Sequence, residues 1–121
     1  MGTYKDLLLY KKSFSLAMEV FSVTKKFPKE EIYSLTDQIR RSSRSTNINT
    51  IEAYRKRRYR NHFISKLTDV DMENSETQGW LEFAKSCDYI SLDQYQSMVA
   101  QTEEIGKLIN YMITNPEKFG A

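Results

Sequence analysis

The chain is poor in the residue types that mark specialised chemistry: one Cys, one His, one Trp, two Pro and four Gly in 121 residues. The lone Cys87 has no partner for an internal disulfide and no companions for a thiolate metal cluster, which suits a reducing compartment. The only histidine, His62, has Tyr59 three residues before it, so the Glu-x-x-His ligand pair of di-iron bundles is missing. No Gly-rich phosphate loop and no nucleophile elbow occurs. So few Pro and Gly leave nothing for linkers or low-complexity tracts, and no repeat of solenoid length is present. Long apolar runs are absent as well: a run such as Leu7–Tyr10 is far below the roughly 20 residues that cross a membrane. The first residues lack the basic, apolar and small-residue order of a secretory signal, and Asp6 stands where a myristoylation motif opening at Gly2 wants Ser or Thr. These absences predict a cytoplasmic, soluble protein without metal, cofactor or membrane partner.

What is present is helical spacing. At 40% hydrophobic and 28% charged residues, the chain has enough apolar surface for one core, and one domain is expected over residues 1–121. Leu9, Leu16, Ala17, Val20, Val23 and Phe27 recur at threes and fours up to Phe27-Pro28, where proline ends or bends the helix. Glu30 and Glu31 follow with the sign that favours a second helix N-terminus, whose core face reads Ile32, Leu35, Ile39, Ser42, Thr46, Asn49 and Ala53. A third segment from about Asn61 to Cys87 carries Phe63, Leu67, Val70, Asn74, Thr77, Leu81 and Ala84 on one stripe. Its start falls somewhere within Tyr54 to Phe63. Ser91-Leu-Asp-Gln94 has the form of a capping box, opening a fourth helix with Tyr95, Met98, Val99, Thr102, Ile105, Ile109 and Met112 inward. Four helices with short connections predict an all-α, up-down antiparallel four-helix bundle.

The formal net charge is only +2, yet Arg40 to His62 holds eight Arg and Lys against one carboxylate, Glu52. Residues 67–114 reverse this with two Lys against nine Asp and Glu. On an ideal helix Arg40, Arg44, Arg55 and Arg58 fall within a sector of roughly 60°, opposite the apolar stripe, provided the helix persists to Arg58. With Arg41, Lys56, Arg57 and Arg60 they form the candidate nucleic-acid surface, and the interleaved Tyr54 and Tyr59 are candidates for stacking on exposed bases. The alternative is a solvated basic face, or one that pairs with the acidic third helix of its own bundle or of a neighbour, or with an acidic partner protein. A second apolar stripe, Met72, Trp80, Phe83 and Cys87, with Ile48 and Ile51 on the second helix, predicts a subunit interface. Asn49 and Glu52 share a helix flank, where a structural hydrogen bond is the expected role and a catalytic Glu the rarer one. No catalytic residue is assigned. Asp69, Asp71, Glu73 and Glu76 spread too widely around the third helix to suggest a cation site.

The order Phe27-Pro28, Glu31, Leu35, Gln38-Ile39-Arg40-Arg41, Ser45, Asn49, Glu52, Glu76-Thr77-Gln78 and Asp88-Tyr89-Ile90 resembles the bacterial four-helix-bundle proteins encoded by intervening sequences in 23S ribosomal RNA genes. That family, often labelled ribosomal-protein-like, is similar to the accessory variability protein of diversity-generating retroelements. The resemblance spans nearly the whole chain and rests on order and spacing. The family's central signature, approximately Ser-Ile-x-x-Asn-Ile-Ala-Glu-Gly, is Ser45-Thr-Asn-Ile-Asn49-Thr-Ile-Glu52-Ala53 here. Asn49 and Glu52 are kept as family-signature residues, while Thr50, Ile51 and Ala53 depart, as do Val70-Asp71-Met72 and Gly79-Trp80 further on. The resemblance implies a bundle that assembles as a ring homo-oligomer, a pentamer, with a positive surface for RNA or DNA. In the retroelement relative, a reverse transcriptase is a further partner.

Overall fold

A helix that must bury one stripe needs neighbours on that side only, and the chain meets this need by folding back at each of its breaks. The computed structural model describes residues 2–121, with helices α1 (Leu8–Thr24), α2 (Leu35–Arg55), α3 (Arg60–Ser86) and α4 (Leu92–Thr114) and no strand among the described residues. Short 3₁₀ turns at Tyr4–Asp6, Lys29–Glu31 and Pro116–Phe119 complete the regular structure. Each helix packs on its sequence neighbours and α1 closes on α4, which is the up-down antiparallel four-helix bundle. The core runs its whole length, from Leu9, Val20 and Ile39 through Phe63, Leu67 and Leu81 to Met98, Ile105 and Ile109.

The stripes on α3 and α4 fall as their periodicity predicts. All seven named α3 residues are buried, and Ser91 Oγ accepts from Gln94 N while Gln94 Oε1 accepts from Ser91 N, closing the capping box. The second helix departs in two places. Lys29–Glu31 forms a separate 3₁₀ turn and α2 begins only at Leu35, so Ile32 lies outside the helix's phase and is exposed. Asn49 is half-buried, and the buried amide is Asn47, because α2 packs between α1 and α3 and its buried arc is wider than a single stripe.

From Ser42 to Thr50 that arc is made of small polar residues whose groups are bonded at short range. Thr46 and Thr50 donate to the carbonyls of Ser42 and Thr46, both at 2.8 Å. Across the seam Thr77 Oγ1 reaches Ser42 Oγ at 2.8 Å. Asn47 Nδ2 donates to Tyr10 O and Ser13 Oγ, tying α2 to α1, and Asn74 Nδ2 donates to Thr102 O, tying α3 to α4. Buried amides of this kind fix register, since a slipped helix would strand them.

The entry to α2 is held by Glu31, whose carboxylate accepts from Ser34 Oγ at 2.6 Å, from Leu35 N at 3.2 Å and from Tyr89 Oη at 2.8 Å. The Ser34 hydroxyl, then Tyr89 and the Leu35 amide hold this carboxyl below its ordinary 4.5. The same bond is the main cause pushing the Tyr89 phenol up to about 12. A carboxyl lowered in the folded state contributes stability above its unfolded value and loses it as pH falls through the folded one. Glu31→Gln should therefore be less stable than the parent at neutral pH, and the gap should close on acidification. Melting curves from about pH 6 to pH 3 check this; a gap that stays constant would remove Glu31 as the titrating group.

Candidate nucleic-acid interface

The eight predicted cations occupy three environments. Arg40 turns to α1, where its Nε donates to Thr24 Oγ1 at 2.8 Å and its guanidinium lies 4.9 Å from the Phe21 ring centre. Arg44, one turn on, sits 5.7 Å from the same ring and lines a shallow apolar cleft of about 220 Å³ with Phe14, Met18 and Ile48. Arg41 points the other way, to α3, where it opposes the upward shift that burial and then Glu76 impose on the Glu73 carboxyl. The remaining five, Arg55, Lys56, Arg57, Arg58 and Arg60, crowd the α2–α3 corner.

The continuous ridge is corrected by the end of the helix. α2 stops at Arg55 and residues 56–59 form the turn, so Arg58 is out of register with Arg40 and Arg44. Between Arg44 and Arg55 the helix rises about 16 Å. The basic surface is thus a cluster at one end of the bundle with two outlying arginines beside α1.

Within the cluster the side chains divide again. Arg57 is half-buried: its Nε donates to Tyr54 O at 2.8 Å, its Nη1 to Phe119 O at 3.1 Å, and its guanidinium covers the Tyr54 ring at 3.6 Å. Arg60 Nη2 donates to Ala121 O at 2.9 Å. These bonds pin the C-terminal 3₁₀ turn to the corner, and Gly120 makes the geometry possible with a positive φ of 84° and only 3.3 Å between its missing Cβ and Arg57 Nη1. Arg55, Lys56 and Arg58 are exposed and make no side-chain bond to a described residue. Among the described residues the ion pairs are Lys12–Glu104, Lys66–Glu52 and Lys66–Asp69, so none of the eight cations pairs with a described side-chain carboxylate.

Sequence reasoning missed several features here. Tyr54 is occupied, by Arg57 on its face and by Gly2 O on its hydroxyl, which leaves Tyr59 as the available ring. Glu52 meets Lys66 of α3 at 3.2 Å in place of Asn49. Lys56, His62, Ser65, Lys66 and Asp69 line a small pocket of about 200 Å³ beside the turn. The bonds from Arg57 and Arg60 to the C-terminal residues span about 60 positions, with only Gly120 as a local sign.

Two exposed apolar groups remain outside the core: Phe14, Met18 and Ile48 on α1 and α2, and Met72 and Phe83 on α3 beside half-buried Trp80. Among the described residues, no three His, Cys, Asp or Glu side chains gather as a metal site, and no helix is long and apolar enough to cross a membrane.

Fold and corner together define a small four-helix-bundle protein with a cluster of five cations at one inter-helix turn. The chain belongs to the 23S rRNA-intervening sequence protein family, whose model matches residues 5–111. It is similar to a crystal structure of a protein of unknown function from the S23 ribosomal protein family of Bacteroides thetaiotaomicron. The two share 32% identity with a TM-score of 0.82, over 91% of this chain and 98% of that one. No curated protein shows significant similarity to the chain.

Proposed function

We propose that this protein is a non-enzymatic, self-associating helical bundle that binds RNA or DNA through phosphate contacts at the α2–α3 corner. The observation that carries the reading is the absence of any side-chain carboxylate within ion-pair distance of Arg55, Lys56, Arg57, Arg58 and Arg60 among the described residues. Solubility alone does not call for five cations in six positions with no side-chain carboxylate beside them, and phosphate is the ligand that such a group attracts. Arg40, Arg41 and Arg44 extend the positive field along α2 as lesser contributors.

Self-association is supported by the two exposed apolar groups, which lie on different helices and leave large side chains about half exposed. Two different patches meeting head to tail give a ring when the rotation closes, and a pentamer is the count that the family resemblance suggests. A ring would gather the corners of its subunits and make weak contacts act together. A reverse transcriptase remains a partner only through the retroelement likeness, and the cytoplasmic setting rests on the single exposed thiol, Cys87.

Light scattering with and without mixed-sequence RNA, at low and high salt, tests both halves. The expected result is a discrete oligomer that gains RNA mass at low salt and sheds it at high salt while staying assembled. For about six phosphate contacts the log-log slope of affinity on salt should be near −5 on duplex DNA and smaller on single strands. An oligomer that ignores RNA, or one that falls apart as salt rises, would favour a scaffold whose corner pairs with acidic residues of a neighbouring subunit or another protein.

A further inference from the structure

Tyr59 is the last residue of the turn, at the N-cap position of α3, yet its side chain makes no capping bond there. The ring is 60% exposed and touches one other aromatic, His62, at 5.6 Å between centres. Its position contrasts with that of Tyr54, whose face and hydroxyl are both taken. Just ahead of Tyr59 in the turn stand the exposed cations Lys56 and Arg58, neither with a side-chain bond to a described residue. His62 continues from the ring into the pocket of Lys56, Ser65, Lys66 and Asp69.

The pocket's chemistry decides what it suits. A site for bare phosphate excludes carboxylates, but here Asp69 lines the wall and Lys66 is already shared with Glu52 and Asp69 at 3.2 and 3.6 Å. Donors from His62, Ser65 and Lys56 beside an acceptor from Asp69 match the mixed edge of a base or a ribose. At about 200 Å³ the pocket is below the roughly 300–1,000 Å³ that encloses a whole drug-sized ligand, so it takes one edge and leaves the rest outside.

We propose that the α2–α3 turn clamps one unpaired nucleotide, with its base stacked on Tyr59, its flanking phosphates on Lys56 and Arg58, and its base edge or sugar in the His62–Asp69 pocket. This rests on the nucleic-acid reading above and narrows it to single strands. Bases inside a duplex are stacked on both faces and offer no free surface to a ring at a helix end, whereas an unpaired base does.

The test compares anisotropy titrations of the parent, Tyr59→Phe and Tyr59→Leu with short single-stranded RNA, single-stranded DNA and the duplex of the same sequence, each at two salt concentrations. Tyr59→Leu should weaken single-strand binding about tenfold, within the range for one base–aromatic stack. Tyr59→Phe should keep the parent's affinity, duplex affinity should not move, and the salt slope should stay unchanged because no charge is removed. Loss for RNA alone would assign the pocket to the ribose 2′-hydroxyl, and equal loss for DNA would assign it to the base edge; either supports the clamp. The exposure of Tyr59 keeps the variants folded, and the turn's hydrogen bonds from Tyr59 N and to Tyr59 O are backbone bonds. Parent-like single-strand binding by Tyr59→Leu would overturn the clamp and leave the basic corner standing. A parent that binds none of the probes would overturn both.

Discussion

Phe63→Ala is expected to lower folding stability by about 3–5 kcal/mol, the range for removing a buried aromatic ring. Phe63 is fully buried, three residues into α3, and is among the largest side chains of the core. A void there cannot be filled by water without leaving that water unbonded, and neighbours in a bundle held by register-fixing amides have little freedom to collapse. For a chain of this size the loss corresponds to a fall in melting temperature of about 4 °C per kcal/mol, or roughly 12–20 °C in all. Since small proteins retain only about 5–15 kcal/mol in total, the variant would stand near the limit of folding. The ring also lies directly beneath the basic corner in sequence, so any nucleic-acid binding should weaken with the fold. Calorimetry or thermal circular dichroism measures it, with Phe63→Leu expected to fall between parent and alanine variant. A change under about 1 kcal/mol would mean the region collapses around the void and that Phe63 is replaceable.

How well the sequence anticipates the structure follows from how local each determinant is. The α3 stripe is legible in full, because an uninterrupted 3.6-residue period from Phe63 to Ala84 leaves a single way to bury it. The capping box at Ser91 is legible for the same reason, being written within four residues. The α2 errors come from context. Glu31 serves as the cap of α2 from outside the helix, which shifts the start past Ile32, and packing by both α1 and α3 buries Asn47 where a one-sided stripe favours Asn49. The end of α2 at Arg55 carries no Gly or Pro signal between Tyr54 and Asn61, so the ridge extrapolated to Arg58 had no local sign against it. The concentration of cations is readable from composition alone. Their division into pinned and free is set by carbonyls of the C-terminal turn and is invisible at short range.

That division determines the variant with the largest expected effect on binding. Arg57 and Arg60 hold the C-terminal residues, so reversing them would mix a structural loss with an electrostatic one. Arg55→Glu, Lys56→Glu and Arg58→Glu together change three exposed side chains that have no partner among the described residues. Their cost to stability should be small. A glutamate at the C-terminal end of α2 opposes the helix dipole by about 0.3–1 kcal/mol, and one just ahead of α3 is favoured by a similar amount. Each lost phosphate contact removes about 0.9 from the salt slope on duplex DNA and about 0.7 on single strands, so three should flatten it by roughly 2 to 3. The same slope makes three contacts worth roughly two to three orders of magnitude in affinity near 0.1 M salt, before the added repulsion is counted. Filter binding or anisotropy across a salt series, with the melting temperature as the control for folding, gives both quantities at once. If the reversed variant keeps the parent's affinity and slope, the corner is not where phosphate binds, and Arg40, Arg41 and Arg44 would have to carry the contact along α2. If affinity falls while the slope holds, the lost term is not counterion release, and the corner would be acting through a protein neighbour's carboxylates.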